Sequence, residues 1–391
     1  MRIAFVVSHP IQYHAPFFRR LAAEPDIDLT VYYLWDFGVV PTHDPEFRVK
    51  VEWDIPVLEG YNSVFLKNIA WKPSSARPWG EINPGIIRAI SKGKYDAVIF
   101  FGWNFVTSWL GFITCLSTGT PFFLRGENPW SHEERKPWWK KLLKKAVLKP
   151  LFRAASGLLY IGKENLSFYK NYGVKRQKLF FVPYMADNAR FISAAKELLP
   201  WKDELKEELG LKGGDLVFLT VGKLIHKKRP LDLLEAYARL TGKNKALVYM
   251  GDGELREEIE RRVRERNIPN VIITGFKNQT EMPRVYAAAD AFVLPSGIGE
   301  TWGLVVNEAM CFNLPLVLSS SVGCGADLLR EGKNGLLFKT GDIEGLSHAL
   351  AELMHNAAER KLFGKRSLEI IEDYSFEQGV RGVKAAINKN T

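Results

Sequence analysis

Short apolar segments alternate with longer segments of helical periodicity along most of the chain. The apolar segments of the first half are residues 3–7, 29–34, 97–101, 121–124, 157–161 and 179–183. Those of the second half are residues 216–221, 246–250, 271–274, 291–294 and 316–319. Buried strands separated by helical crossovers are typical of parallel sheets covered by helices. The pattern predicts an α/β protein with two doubly wound parallel sheets.

The length of 391 residues exceeds what one hydrophobic core usually covers, which favours two domains. A charged segment of helical pattern, residues 185–214, separates the last apolar segment of the first half from the first of the second half. We therefore expect an N-terminal domain over 1–190 and a C-terminal domain over 205–374. A final helical pattern lies at 374–388, and periodicity alone leaves its domain open.

Composition and charge narrow the choice of partner only slightly. Hydrophobic residues make up 46% and charged residues 25%, as in ordinary globular domains. The net charge of +10 favours an anionic partner, which could be nucleic acid, an acidic membrane surface or a phosphorylated ligand. No apolar segment approaches the about 20 residues of a spanning helix, and the first one is too short for a signal peptide. We expect a cytoplasmic protein, or one attached only to a membrane surface.

Ligands of open α/β sheets bind beyond the carboxyl ends of the strands, so the loops that follow the apolar segments carry the candidate chemistry. After segment 216–221, Gly222 allows a close turn, and Lys223 and Lys228 can project toward one anion such as a diphosphate. A solvated basic turn explains the same residues. A second loop, 249–256, resembles a dinucleotide fingerprint but has Arg256 at its third glycine, so we expect a tight structural turn there.

The segment 294–310 is the most informative. Its glycines make a loop, and an apolar helix follows from Leu304. The amides of residues 301–303, which are Thr301, Trp302 and Gly303, would present N–H groups and a positive helix end to an anion. Glu300 precedes this helix, and Glu308 lies on it about two turns from its start. Glu308 could accept hydrogen bonds from ribose hydroxyls and Glu300 from sugar hydroxyls, whereas salt bridges are the alternative for both.

Residues 135–153 predict a basic amphipathic helix. Trp139, Leu142, Leu143, Ala146 and Val147 share one face, and the opposite face carries a set of lysines. These lysines are Lys140, Lys141, Lys144 and Lys145. Such a helix suits an anionic membrane surface. A crossover helix whose apolar stripe packs on the sheet is an equally good explanation.

Several of these motifs occur together and in order, and the combination resembles the retaining glycosyltransferases of family 4, which have the GT-B fold. The ordered motifs are 222–223 (GK) with Lys228, 251–253 (GDG), 275–276 (GF), 286–290 (YAAAD), Glu300 with Glu308, and 332–335 (GKNG). The resemblance implies two Rossmann-like domains that face each other across a cleft. It also implies that the terminal helix, 375–391, returns to the first domain.

The resemblance implies roles for individual residues. Lys223 and Lys228 would bind the donor diphosphate, with Lys223 at a position where the family more often has arginine. Glu300 would contact the donor sugar and Glu308 the donor ribose. The backbone near Phe276 would contact the nucleobase. Gly222 and the segment from Thr301 through Leu304 complete the expected donor site.

The first half resembles the family less closely. Many members have an active-site histidine after a first-domain strand, whereas here segment 121–124 is followed by Arg125 and Glu127. We keep both as active-site candidates without assigned roles. In the opening loop, His14 is a further catalytic candidate, and capping of the next helix is its alternative explanation.

The expected function is transfer of a sugar from a nucleoside-diphosphate sugar, the co-substrate, to an acceptor, with retention of anomeric configuration. The acceptor would be a cell-surface glycan or a lipid-linked precursor. The resemblance implies no tightly bound cofactor and no metal requirement, with Lys223, Lys228 and the helix end stabilising the departing diphosphate instead. We expect no nucleic acid partner, since no nucleic-acid-binding motif accompanies the charge. Alternatives are a nucleotide-sugar epimerase of the same fold, a basic nucleic-acid-binding protein and, least of all, a sugar-nucleotide sensor.

Overall fold

The computed structural model describes residues 1–39, 42–44, 49–51 and 53–389 of the chain. The chain divides into two compact units. The first consists of Met1–Thr42, Ile55–Met185 and Phe376–Thr391, and the second of His43–Asp54 and Ala186–Ser375. The helices of segment 186–214 therefore belong to the second unit, and the last helix belongs to the first.

The strands are short and mostly buried. They are β1 (Arg2–Val7), β2 (Asp28–Tyr33), β3 (Thr42–Asp44), β4 (Val49–Val51), β5 (Asn62–Phe65), β6 (Ala97–Phe101), β7 (Phe122–Arg125), β8 (Gly157–Tyr160), β9 (Leu179–Phe181), β10 (Leu216–Val221), β11 (Lys245–Met250), β12 (Val271–Gly275), β13 (Ala291–Leu294), β14 (Leu316–Ser319) and β15 (Gly335–Phe338).

The α-helices connect and cover these strands. They are α1 (His14–Ala22), α2 (Gly85–Gly93), α3 (Val106–Thr118), α4 (Trp130–Glu133), α5 (Trp138–Ala154), α6 (Lys163–Asn171), α7 (Asn188–Leu198), α8 (Lys202–Glu208), α9 (Pro230–Ala238), α10 (Arg256–Glu265), α11 (Met282–Ala288), α12 (Leu304–Cys311), α13 (Gly325–Leu328), α14 (Ile343–His355), α15 (Ala357–Ile371) and α16 (Phe376–Asn388). Within the described ranges, no helix is both long and apolar enough to cross a bilayer.

The first unit contains a seven-stranded parallel sheet with the order β5-β2-β1-β6-β7-β8-β9. Apolar side chains pack on both faces of this sheet, as expected for doubly wound strands. On one face, Phe376, Val380 and Val383 of α16 join the core beside β1 and β2. The strand order reverses between β1 and β6, so the loops after these two strands form a switch point.

The second unit contains a six-stranded parallel sheet with the order β12-β11-β10-β13-β14-β15. Buried side chains of β10, β11 and α9 form one of its cores, together with residues of α14. The strand order reverses between β10 and β13. The loops after these strands, residues 222–229 and 295–303, therefore meet at the switch point where open sheets bind ligands.

Each apolar segment of the sequence corresponds to a strand, with ends that differ by a few residues. The sequence missed β5 and β15, and it also missed β3 and β4, which pair in a separate sheet. β5 lacks an apolar run because it is an edge strand whose four residues are all at least partly exposed. β15 begins with Gly335, which must approach Leu316 so closely that a Cβ would lie 2.1 Å from the Leu316 carbonyl oxygen.

Candidate functional site

The switch point of the second sheet joins two loops that the sequence singled out. The first follows β10 and contains Gly222, Lys223 and Lys228. The second follows β13 and ends at the start of α12. The backbone holds the loops together, since the Gly297 amide donates to the Lys227 carbonyl oxygen at 2.7 Å. Residues that are 70 positions apart in sequence therefore share one site.

An ion pair between Lys228 and Glu300 bridges the two loops. Lys228 Nζ donates to Glu300 Oε2, and Ser296 Oγ donates to the same oxygen at 2.9 Å. The Glu300 side chain is only 9% exposed, and that of Lys228 is 20% exposed. The salt bridge that the sequence left open as an alternative is thus present, and it lies at the ligand-binding edge of the sheet.

The charge of Lys228 also determines the protonation of Glu300. Burial alone would raise the pKa of this carboxyl, but the charge and hydrogen bond of Lys228 outweigh burial and lower the pKa below its ordinary value of 4.5. Glu300 is therefore ionised near neutral pH. The site presents a carboxylate and an ammonium group side by side, one suited to sugar hydroxyls and the other to phosphate.

Glycines of the neighbouring strand shape the loop that carries Lys228. A Cβ at Gly251 would lie 2.0 Å from the Gly222 carbonyl oxygen, and one at Gly253 would lie 2.7 Å from the Leu224 carbonyl oxygen. Both positions therefore require glycine for close backbone approach. This geometry gives 251–253 a supporting role behind the lysine loop, as the sequence interpretation favoured.

Helix α12 begins where the sequence placed it, with Gly303 as its N-cap at a φ of +98°. Thr301 is exposed, whereas Trp302 and Leu304 are buried. The prediction for Trp302 concerns its backbone amide, and its side chain points elsewhere. Its indole nitrogen donates to Asn307 Oδ1 at 2.9 Å and its ring packs near Tyr374, so its side chain belongs to the core.

Glu308 is completely buried on α12. The Tyr286 hydroxyl donates to its Oε2 at 2.6 Å, so the tyrosine of the YAAAD motif orients this carboxylate. Sequence spacing gave no sign of this contact, because Tyr286 lies on α11. Phe276 follows β12 at the same edge of the sheet and is partly exposed.

In the first unit, Arg125, the last residue of β7, forms an ion pair of 3.0 Å with Glu127. The guanidinium is 3% exposed and lies 4.7 Å from the centroid of Phe101 and 4.8 Å from that of Tyr184. Buried arginine needs such partners because an isolated buried charge costs several kcal/mol. The two residues that the sequence analysis kept as candidates therefore pair with each other.

His14 lies beside this ion pair and is partly buried. Its ring packs against Phe18, Phe101 and Tyr184, and both ring nitrogens are buried without a hydrogen-bond partner among the described residues. Burial, with a smaller effect of Arg125, holds the pKa of His14 well below its ordinary value. Aromatic side chains distant in sequence therefore surround the ring, and a catalytic role of His14 stays a prediction.

Sequence reasoning pointed to the loop that holds Ser8 and His9 at the switch point of the first sheet, but it missed their partner Glu81. Ser8 and His9 follow β1, and Glu81 precedes α2. Ser8 Oγ donates to Glu81 Oε1 and also bonds His9 Nδ1 at 2.9 Å. Ser8 and His9 stood in a loop after an apolar segment, but nothing in the sequence pairs that loop with Glu81.

The exposed side chains of α5 correct the sequence interpretation of this helix. The alternative of a stripe packed on the sheet is wrong for residues 138–147, because the residues that join the core are Leu148, Leu151 and Phe152. Five large apolar side chains face solvent, and together they form what we call the α5 apolar face. They are Trp138 (73% exposed), Trp139 (48%), Leu142 (60%), Leu143 (63%) and Val147 (53%).

The lysines of α5 do not all behave as the sequence suggested. Lys144 turns inward, where its Nζ binds the buried Glu133 at 2.7 Å and lies 4.9 Å from the ring centroid of Phe168. Lys140 and Lys145 remain exposed on this helix, as does Lys149. The α5 apolar face is therefore flanked by fewer free cations than the sequence alone indicated.

Among the residues that the structure describes, no group of three or more His, Cys, Asp or Glu side chains is arranged to hold a metal ion. The positive charges near the second switch point are those of lysine side chains. Lys228 lies close enough to the loop glycine that a Cβ at Gly222 would be 3.8 Å from its Nζ.

Comparison with known proteins yields one family match and several relatives. Residues 202–369 match the family described as glycosyl transferases group 1. Sulfoquinovosyl transferase SQD2 of Arabidopsis thaliana is 34% identical over 141 residues, which cover 35% of this chain but only 27% of that protein. The UDP-Gal:alpha-D-GlcNAc-diphosphoundecaprenol alpha-1,3-galactosyltransferase of Escherichia coli is 28% identical over 276 residues, which cover 68% of each protein.

Solved structures resemble the whole chain. HepE of Anabaena, solved in complex with UDP and glucose, has a TM-score of 0.73 at 17% identity and covers 99% of both chains. Sucrose-phosphate synthase of Thermosynechococcus elongatus has a TM-score of 0.72 at 18% identity. At such identities the likeness establishes the fold. It confirms the predicted α/β class with two Rossmann-like domains of the GT-B type.

Proposed function

We propose that this chain transfers a sugar from a nucleoside-diphosphate sugar to an acceptor hydroxyl, with retention of anomeric configuration, because its residues 202–369 match the family of glycosyl transferases group 1. The observation that carries the proposal is the Lys228–Glu300 pair. It bridges the two loops of the second switch point, where an open α/β sheet binds its ligand.

The pair suits the chemistry of a nucleotide-sugar donor. In the transfer, the bond from the anomeric carbon to the terminal phosphate oxygen breaks, and the acceptor oxygen bonds to that carbon from the same face. The acceptor hydroxyl proton passes to the departing phosphate. Lys228 has three N–H donors, so it can bind that phosphate while it keeps one contact with Glu300. A preorganised cation at developing negative charge lowers the barrier without rearrangement.

The neighbouring groups complete the proposed donor site. Lys223 is a second cation in the same loop, and the amides of Thr301–Gly303 at the start of α12 favour an anion. We assign the donor sugar to Glu300 and the backbone near Phe276 to the nucleobase. Glu308 is assigned to the ribose, because an ionised carboxylate can accept further hydrogen bonds beside the one from Tyr286.

We propose a cell-surface glycan or a lipid-linked precursor as the acceptor. The support is the name of the Escherichia coli relative, which specifies a diphosphoundecaprenol-linked GlcNAc acceptor. Arg125, Glu127 and the residues around them after β1 and β7 are the acceptor-side candidates. We propose no metal requirement, because Lys223, Lys228 and the helix end can stabilise the diphosphate.

The experiment is a turnover screen with UDP-, GDP- and ADP-sugars, each with and without GlcNAc-diphosphoundecaprenol and simple glycans. Acceptor-dependent release of nucleoside diphosphate, with a product that keeps the donor's anomeric configuration, is the expected result. A new nucleotide sugar formed without acceptor would instead make the protein an epimerase. Absence of turnover and of binding for all donors would reject the proposal.

We also propose that α5 attaches the protein to an anionic membrane surface. Five large apolar side chains on one helix remain exposed between residues 138 and 147, although such contiguous exposure is unusual for a soluble surface. Lys140, Lys145 and Lys149 flank them, and tryptophans favour the lipid–water interface. The combination of apolar insertion and positive charge matches anionic phospholipid.

Co-sedimentation with vesicles tests this attachment. The wild-type chain should bind vesicles with about 30% phosphatidylglycerol and not pure phosphatidylcholine, since each cation near an anionic surface contributes about 1 kcal/mol. Leu142→Asp with Leu143→Asp should abolish binding. Ile113→Asp with Leu116→Asp is the matched control, because these α3 side chains are 62% and 58% exposed. Equal binding by the wild type and both double variants would contradict the proposal.

A further inference from the structure

A hydrogen-bonded chain of three side chains lies at the switch point of the first sheet. It runs from His9 Nδ1 through the Ser8 hydroxyl to Glu81 Oε1. Ser8 and His9 belong to the loop after β1, whereas Glu81 is 73 positions away from Ser8 in sequence. These hydrogen bonds thus connect a loop at the ligand-binding edge of the sheet to a carboxylate in the interior.

Burial of the Glu81 carboxylate at this place costs free energy. Glu81 is 0% exposed, and its Oε2 is buried with no hydrogen-bond partner among the described residues. Its backbone is fixed from α3, since Thr107 Oγ1 donates to the Glu81 carbonyl oxygen at 2.9 Å. An uncharged side chain could fill the same space at a lower cost in free energy. The carboxylate therefore indicates a role that acts through Ser8.

The hydrogen bonds among His9, Ser8 and Glu81 determine which nitrogen of His9 can bind a ligand. A hydroxyl has a single proton, so a Ser8 that donates to Glu81 must accept from His9 Nδ1–H. The lone pair of the ring then lies on Nε2. Burial lowers the pKa of His9 to about 4, which keeps the ring neutral near pH 7. Trp35 and Phe37 hold it edge-on, with centroids 6.1 and 5.2 Å away.

We propose that His9 Nε2 accepts a hydrogen bond from a hydroxyl group of the glycosyl acceptor, and that Glu81, through Ser8, positions the ring for this contact. The assignment rests on the proposed transferase function, which requires an acceptor hydroxyl. His9 is the residue that touches substrate. Ser8 and Glu81 are positioning residues, which fix the tautomer and the orientation of the imidazole.

The protonation of Glu81 should reverse the tautomer. Burial raises the pKa of Glu81 to about 7, against the smaller opposing effect of the Ser8 hydrogen bond. A protonated Glu81 can donate to Ser8, whose hydroxyl then donates to His9 Nδ1 and leaves the ring proton on Nε2. His14 is the titratable group that couples to His9, and burial holds its pKa well below the ordinary value as well. Acceptor binding should therefore weaken as pH falls through about 7.

Histidine nitrogen NMR of the full chain tests the hydrogen-bonded chain without any substrate. The His9 signals are assigned from their loss in His9→Gln. We expect the Nδ1–H tautomer at about pH 8.5 and the Nε2–H tautomer at about pH 5.5. Ser8→Ala should remove this dependence, whereas Ser8→Thr, which keeps the hydroxyl, should retain it. One tautomer at both pH values in the wild type would overturn the proposal.

Steady-state kinetics with UDP-galactose and GlcNAc-diphosphoundecaprenol test the contact itself. Glu81→Gln, which fits the same space, should raise the acceptor KM about tenfold, the equivalent of one hydrogen bond, while UDP affinity stays at the wild-type value. It should also abolish the weakening of acceptor binding below pH 7. An active wild type with the same acceptor KM as Ser8→Ala and Glu81→Gln would overturn the role of His9. A wild type that turns over no nucleotide sugar would instead reject the transferase function, and the NMR result would still decide the tautomer.

Discussion

The two switch points of this protein have the same topology but different chemistry. In the second sheet the facing loops carry opposite charges, and the Lys228–Glu300 pair lies at their junction. In the first sheet the corresponding loop carries a neutral imidazole bonded to Ser8, and a buried Arg125 is covered by aromatic rings nearby. Equal topology therefore does not determine what a sheet edge binds.

The difference fits two ligands of different charge. A diphosphate needs cations and amides that remain available in a mostly buried setting, which the second unit offers. A neutral acceptor hydroxyl needs an oriented hydrogen-bond acceptor instead, which His9 would supply. The family match falls on 202–369, within the second unit, and includes both loops of its charged switch point.

We expect the largest loss of activity when the charge of Lys228 at the second switch point is removed. Lys228→Met keeps the aliphatic stem but removes the ammonium group, and we expect turnover to fall by about 10²–10³-fold. The free energy of unfolding should fall by about 2–3 kcal/mol, less than for a fully buried pair, because Lys228 retains 20% exposure. Donor turnover and chemical denaturation measure the two effects.

The double variant Lys228→Met with Glu300→Gln separates donor binding from a purely structural salt bridge. Removing both charges should restore most of the lost stability, since no unpaired buried carboxylate remains. Activity should stay low. Recovery of activity together with stability would mean that the ion pair only holds the loops in place.

A smaller effect is expected from the ribose side of the same site. Glu308→Gln should weaken nucleoside-diphosphate affinity about tenfold, as expected for hydrogen bonds to a charged group. Tyr286→Phe should weaken it less, because the carboxylate remains and loses only one orienting bond. Calorimetric titration of both variants checks the order, and a greater loss in Tyr286→Phe would contradict the assigned roles.

The smallest effect concerns acid stability. The pKa of Glu300 is lowered in the folded protein, so its stabilising contribution is fully present above the ordinary value of 4.5 and is lost as pH falls through the lowered folded value. The Tm difference between the wild type and the double variant should therefore shrink below about pH 4.5. A difference that is constant from neutral to acid pH would show that Glu300 titrates normally.

Local sequence patterns predicted most of the strands and the start of α12, because β-branched runs and a glycine before an apolar helix act over a few residues. The pairing of Lys228 with Glu300 was left open, since it depends on two loops brought together by the order of β10 and β13. The enclosure of His14 and the bond from Ser8 to Glu81 were missed for the same reason. Contacts made through the sheet order carry no signal in local spacing.

Calorimetric titration of the wild type and Lys228→Met with UDP, GDP and ADP tests whether Lys228 binds the donor diphosphate. Lys227→Met is the matched control, because Lys227 is the exposed neighbour in the same loop. The wild type and Lys227→Met should bind at least one of the nucleotides, and Lys228→Met should bind it at least about tenfold more weakly, as expected for the loss of one charge-assisted contact. Binding of equal strength to all three proteins, or to none of them, would contradict a donor diphosphate site at Lys228.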